Sequence, residues 1–110
     1  MIEETLSQIK KKIEKSGSIK EENKKELMDL LAVLQSEIEH LYETDQDHAE
    51  SILGFTQTST HEATRTNRDP NLQKISLDSL QASVHGFEST HPKLVEIVNS
   101  ISTALSNLGI

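Results

Sequence analysis

A chain of 110 residues bounds the molecule to one domain, and with 34% apolar and 3% aromatic residues its core is narrow and aliphatic. The net charge of −7, from 18 acidic against 11 basic residues, repels phosphate backbones and argues against general nucleic-acid binding. The absence of cysteine excludes disulfides, thiolate catalysis and cysteine-ligated metals.

Helix formers dominate the first half, while Gly (four) and Pro (two) are scarce, so the expected fold class is all-α. Met1-Ile2-Glu3-Glu4-Thr5 lacks the basic start and apolar run of a signal peptide, and no window reaches the roughly 18 apolar residues of a membrane span. A soluble, cytoplasmic protein is the expectation. The lysines at 10, 11, 12, 15, 20, 24 and 25 alternate with glutamates, which reads as solvated helix faces laced with i,i+4 pairs.

Ile2, Leu6, Ile9 and Ile13 step by four, three and four, which predicts a first amphipathic helix over 2–15. Ser16-Gly17 ends it, with Gly17 placed for a left-handed conformation. Ser18 and Glu21 have the spacing of a capping box for the next helix. Ile19 then packs back on Ile13, and the short turn predicts an antiparallel hairpin.

The second helix carries the strongest pattern. Leu27, Leu31, Leu34, Ile38, Leu41, Asp45, His48, Ile52 and Phe55 alternate four and three without a slip, the spacing of a heptad seam. Thr44 to Asp47 are weak helix formers but include neither Gly nor Pro, so the expected helix runs over 19–55, with an end near 43 as the alternative. A continuous helix would be a rod of nearly 60 Å at about 1.5 Å per residue, longer than a compact chain of this size covers. Its outer half would need a second chain, which predicts a homodimer with these nine residues as the interface. Asp45 and His48 then either pair at the seam, fixing register and making assembly pH-sensitive, or face water beyond a helix that ends at Thr44.

Residues 56–74 read as a polar linker, because 56–71 offer one alanine as the only apolar residue, and Asp69-Pro70-Asn71 closes them as a turn. Arg65 and Arg68 read as solvated charges. The pattern returns at Leu77, Leu80, Val84, Phe87, His91, Leu94, Val98, Ile101, Leu105 and Leu108. Pro92 interrupts it, costing about 3 kcal/mol inside a helix, so helices over 75–89 and 91–108 are expected, roughly collinear with a kink. Thr90 or His91 caps the second of these, with Pro92 in its first turn. Gly109 and Ile110 fit a Schellman end.

Two Glu-x-x-His pairs occur, Glu37 with His40 and Glu88 with His91, each half of a di-iron-like bundle site that needs further inward carboxylates. The seam phase places His40 on the outer face, and Pro92 divides the second pair, so neither a metal nor another cofactor is expected. His91 reads as a helix-boundary histidine, and His61 and His85 lack a partner that sequence places. Neither Gly-x-Ser-x-Gly, a phosphate-cradling loop nor a dinucleotide fingerprint is present, which predicts a non-enzymatic protein. A small-ligand binder would need a preformed pocket of about 300 Å³ or more with convergent polar groups.

Phe87-Glu88, His91-Pro92, Leu94, the aliphatic steps through Ile101 and Leu105, and the closing Asn107-Leu108-Gly109-Ile110 resemble a family of short bacterial proteins, the domain of unknown function 4404. The resemblance covers residues 77–110 well and the hairpin at 2–42 loosely, while 45–74 looks longer than the family carries there. It implies a helical hairpin, a Phe-Glu-x-x-His-Pro segment and a terminal helix with a Gly-Ile tail, and no activity or cofactor. The expectation is a self-associating or partner-binding scaffold, without nucleic acid or membrane as partner, and the competitor is a His/carboxylate metal bundle.

Overall fold

The computed structural model describes residues 2–108 and is all-helical, with no strand among them. Five helices follow in order: α1 Ile2–Lys15, α2 Glu21–Tyr42, α3 Gln46–Thr64, α4 Pro70–Ser83 and α5 Pro92–Asn107. The radius of gyration is 13.0 Å and the extents are 37 × 25 × 21 Å, so no long rod projects from the fold. None of the helices is long and apolar enough to cross a membrane.

The seam of α2 forms as expected, but α2 stops at Tyr42 instead of running to Phe55. Asp45 ends it, leaving the helical region at φ −149° and ψ 80° and accepting the amide of His48 on Oδ1 at 3.1 Å. Its other oxygen meets His48 Nδ1 at 3.0 Å, so the two polar seam residues form a local cap at the start of α3, with His48 exposed and Asp45 half-buried. A side-chain cap of this kind contributes about 1 kcal/mol, enough to favour a break among weak helix formers. The chain turns there. Leu27, Leu31, Leu34, Ile38 and Leu41 before the break and Ile52 after it are therefore all buried inside one chain. Only Phe55 of the seam's apolar residues is exposed, at 38%. With the rod goes its demand for a second chain.

The first turn also departs from expectation. Gly17 does not adopt positive φ, and no capping box forms at Ser18 and Glu21. Lys20 is the N-cap of α2 without a side-chain bond, and the Ser18 hydroxyl meets that of Ser16 at 3.2 Å. Burial of Ile19 fixes the entry of the chain, and Lys24 Nζ donates to the Glu14 carbonyl at 3.0 Å, satisfying an orphan acceptor at the end of α1.

The segment expected to be a linker, 56–74, is mostly helix. The second half of α3 is among the most buried parts of the molecule, with Thr56, Ser59, Thr60, Glu62 and Ala63 all inside. Thr56, Thr60 and Thr64 each donate to the carbonyl four residues back, at 2.7, 2.8 and 2.7 Å. Ser59 Oγ reaches across to the Ser76 carbonyl of α4 at 3.0 Å. Each hydroxyl thus enters the core with its bond made, avoiding a penalty of about 1–3 kcal/mol for an unpaired polar group. Glu62 is partnered by Arg65 at 2.9 Å, and Arg68 Nη1 donates to the Leu108 carbonyl at 2.9 Å, so neither arginine is a free solvated charge. Asp69 caps α4 through the amides of Asn71 and Leu72, with Pro70 in the first turn.

α3 packs against all four other helices, and α2 lies between α1, α3 and α5. Bonds from Gln57 to Gln8 and between Lys12 and His61 set α1 parallel to α3. α4 ends at Ser83, short of the expected 89. Gly86, at φ 98°, turns the chain, which reverses so that α4 and α5 run antiparallel, with Gln73 Nε2 against the Leu105 carbonyl at 3.5 Å. A collinear kinked pair is not formed. Glycine suits this turn because a Cβ would strain a left-handed residue by about 1–2 kcal/mol. His91 is the N-cap of α5, with Pro92 in its first turn. The Schellman end read for Gly109 and Ile110 lies outside the described residues.

Candidate functional site

One end of the bundle collects three of the five histidines. His40 stands in the last turn of α2, His48 in the first turn of α3, and His91 at the start of α5, with Phe87 of the α4–α5 loop among them. The His48 ring meets the edge of Phe87 with centres 5.1 Å apart and planes at 79°, and His91 meets Phe87 at 5.6 Å and 82°. His40 and His91 lie 5.9 Å apart, tilted by 58°. Edge-to-face contacts of this kind hold rings in place with about 0.5–1.5 kcal/mol each beyond the area they bury.

The two Glu-x-x-His pairs therefore meet through their histidines and not through their glutamates. Glu88 turns its carboxylate onto the Gly86 amide, at 2.9 and 3.1 Å, and lies 3.8 Å from His85. Glu37 is half-buried one turn before His40 on α2. Among the described residues no three His, Asp or Glu side chains converge to hold a metal ion. His91 Nδ1 is engaged by the Thr90 hydroxyl at 3.1 Å and His48 Nδ1 by Asp45. His61 lies elsewhere, on α3 against Lys12.

Two further surfaces stand out. α4 and α5 leave between them a groove of about 580 Å³, lined by Arg68, Gln73, Lys74, Leu77, Ser102 and Ser106 among others. Ser102 is 3% exposed and its hydroxyl has no hydrogen-bond partner. Lys74 pairs with Asp78 at 2.8 Å, and the hydrogen bond to that carboxylate holds the ammonium above its ordinary pKa. Outside the groove, the exposed large apolar side chains among the described residues are Phe55 on α3, with Leu72 at 42% and Ile75 at 60% on α4.

Sequence reasoning identified the individual histidines but not their meeting, because periodicity along one helix carries no information about contacts between helices. It missed the exposed Leu72 and the side of the groove at Arg68, Gln73 and Lys74 for another reason. A segment read as linker has no faces. The available signal was Asp69-Pro70, an N-cap followed by proline in the first turn.

The residues that carry the resemblance fall into two roles. Phe87, Glu88, His91 and Pro92 build the loop and the start of α5, while Leu94 and Leu105 are fully buried in its core face. Comparison with curated proteins gave no match, and comparison with solved structures gave none either. The family match runs from residue 27 to residue 110, more than half of the chain; the chain belongs to the family described as Domain of unknown function (DUF4404).

Proposed function

We propose that this protein is a non-enzymatic interaction module that self-associates through α4. The observation that supports this reading is where apolar surface remains. The aliphatic seam is consumed within the chain, and Leu72 and Ile75, one turn apart on α4, are left facing water with Phe55 on the neighbouring helix. Exposed large aliphatics at i and i+3 are the anchors by which one helix lies against another. The docking face is thus moved from the nine-residue seam to α4, and the partner is a second copy. The His/carboxylate di-iron bundle loses support from the placement of Glu88 on a backbone amide.

Light scattering on the full chain over a range of concentrations tests it. The expected result is a mass above that of one 12.3 kDa chain, returned to a single chain by Leu72→Glu with Ile75→Glu. A wild-type protein that stays a single chain at every concentration would overturn the self-association.

A second reading has its own support. The α4–α5 groove exceeds the roughly 300 Å³ at which ligand pockets begin, and the unpartnered Ser102 hydroxyl lines it beside Gln73. A small polar ligand taken there would move the amide resonances of Gln73 and Ser102 in an NMR screen, and Ser102→Ala would weaken it.

A further inference from the structure

We propose that the α4–α5 groove binds a small organic monoanion, a carboxylate carried on a short chain that ends in a hydroxyl. This ligand class rests on the second reading of the groove given above and is independent of self-association through Leu72 and Ile75.

An unmet hydroxyl carries it. Among the described residues, Ser102 Oγ is the one buried side-chain polar atom without a hydrogen-bond partner, and Ser102 is 3% exposed. The other buried hydroxyls are closed: Thr56 and Thr60 onto their own helix, Ser59 onto the Ser76 carbonyl, and Ser76 onto the Gln73 carbonyl. An unpaired polar group in the interior costs stability, so native proteins keep few of them and each asks for a partner. This one lies on the wall of a groove of about 580 Å³. A serine side chain turns between three staggered wells, so its hydroxyl meets a ligand without movement of α5.

The lining sets the charge of that partner. Lys74 and Asp78 face each other at 2.8 Å and cancel. Arg68, half-buried at one end of the groove, pairs with no carboxylate among the described residues, and its Nη1 donates to the neutral carbonyl of Leu108. The groove therefore keeps one unbalanced positive charge in a chain of net charge −7. The guanidinium has further N–H donors, in the fork geometry that matches a carboxylate.

The register of the two helices sets the length. Arg68 stands at the level of Leu108, and Gln73 at the level of Leu105. Along α5, at about 1.5 Å per residue, Ser102 is about 9 Å from Leu108. A carboxylate on Arg68 and a hydroxyl on Ser102 are thus the two ends of one extended molecule. Leu77 and the aliphatic stem of Lys74 give its chain apolar surface.

The probe is ω-hydroxyhexanoate, titrated into the full chain and followed by amide shifts. Its controls are hexanoate, which lacks the hydroxyl, and hexane-α,ω-diol, which lacks the charge. Saturable shifts at Gln73, Leu77 and Ser102 are expected, with the diol about tenfold and hexanoate about fivefold weaker than ω-hydroxyhexanoate. Ser102→Ala should abolish the advantage over hexanoate and Arg68→Gln the advantage over the diol, while Leu72→Glu changes neither. Equal binding of ω-hydroxyhexanoate and the diol overturns the anion and leaves the groove a site for another class of ligand. That comparison uses the wild-type chain and stands even if Arg68→Gln fails to fold. An advantage over hexanoate kept in Ser102→Ala overturns the proposal, as does the absence of saturable shifts with all three compounds. The broader reading of the groove fails only if the screen of neutral polar ligands also leaves these amides unmoved.

Discussion

The two long central helices, α2 and α3, are buried to a similar depth by opposite means. α2 presents Leu27, Leu31, Leu34, Ile38 and Leu41, one aliphatic residue for each turn of the seam. The second half of α3 presents Thr56, Ser59, Thr60 and Ala63, small side chains whose hydroxyls are closed onto carbonyls of the same helix or of α4. On α2 the stabilisation comes from apolar area, at about 25 cal/mol per Å² removed from water. On α3 little area is available per residue, and what the small residues provide is close approach with every polar group paired. A polar stretch can therefore be core, provided its polar atoms find partners before they are buried.

The contrast predicts different responses to substitution. The largest effect is expected at the seam: Leu34→Ala removes a fully buried side chain and should cost about 2–5 kcal/mol in urea unfolding. A loss within error of zero would mean that α2 packs loosely. At α3 the damaging change is enlargement, not truncation. Ala63→Leu should destabilise by about 1–3 kcal/mol through overpacking, whereas the same change would be harmless in a solvated linker. Ser59→Ala comes next, losing the bond to the Ser76 carbonyl for about 0.5–1.5 kcal/mol. Asp45→Ala should cost a similar amount, about 0.5–2 kcal/mol, by uncapping α3. A gain in helicity with unchanged stability in that variant would instead show that α2 and α3 fuse once the cap is gone.

How much of this was legible follows from the same contrast. The aliphatic faces of α1, α2 and α5 could be read directly, since Leu and Ile at steps of three and four have one interpretation. Asp45 and His48 could not, because the break keeps the heptad phase: the apolar steps from Leu41 to Ile52 read identically whether the helix continues or turns back. Hydropathy assigns Thr56, Ser59 and Thr60 to water, as it sees the hydroxyls and not the carbonyls that satisfy them, four residues earlier for the two threonines and on α4 for Ser59. Gly86 was available as a turn residue, but Phe87 and His91 continued the apolar spacing across it and obscured the reversal. The meeting of His40 with His91 is a consequence of α2 packing on α5 and has no trace along the chain.

The central claim is that residues 56–64 are a buried helix at the middle of the fold. Native-state hydrogen exchange tests it most directly, amide by amide. Amides of Ser59, Thr60 and Ala63 should exchange only through global unfolding, with the same free energy as those of Leu34 and Ile38 on α2. Exchange at those three positions near the rate of an unstructured peptide, while α2 remains protected, would contradict the account.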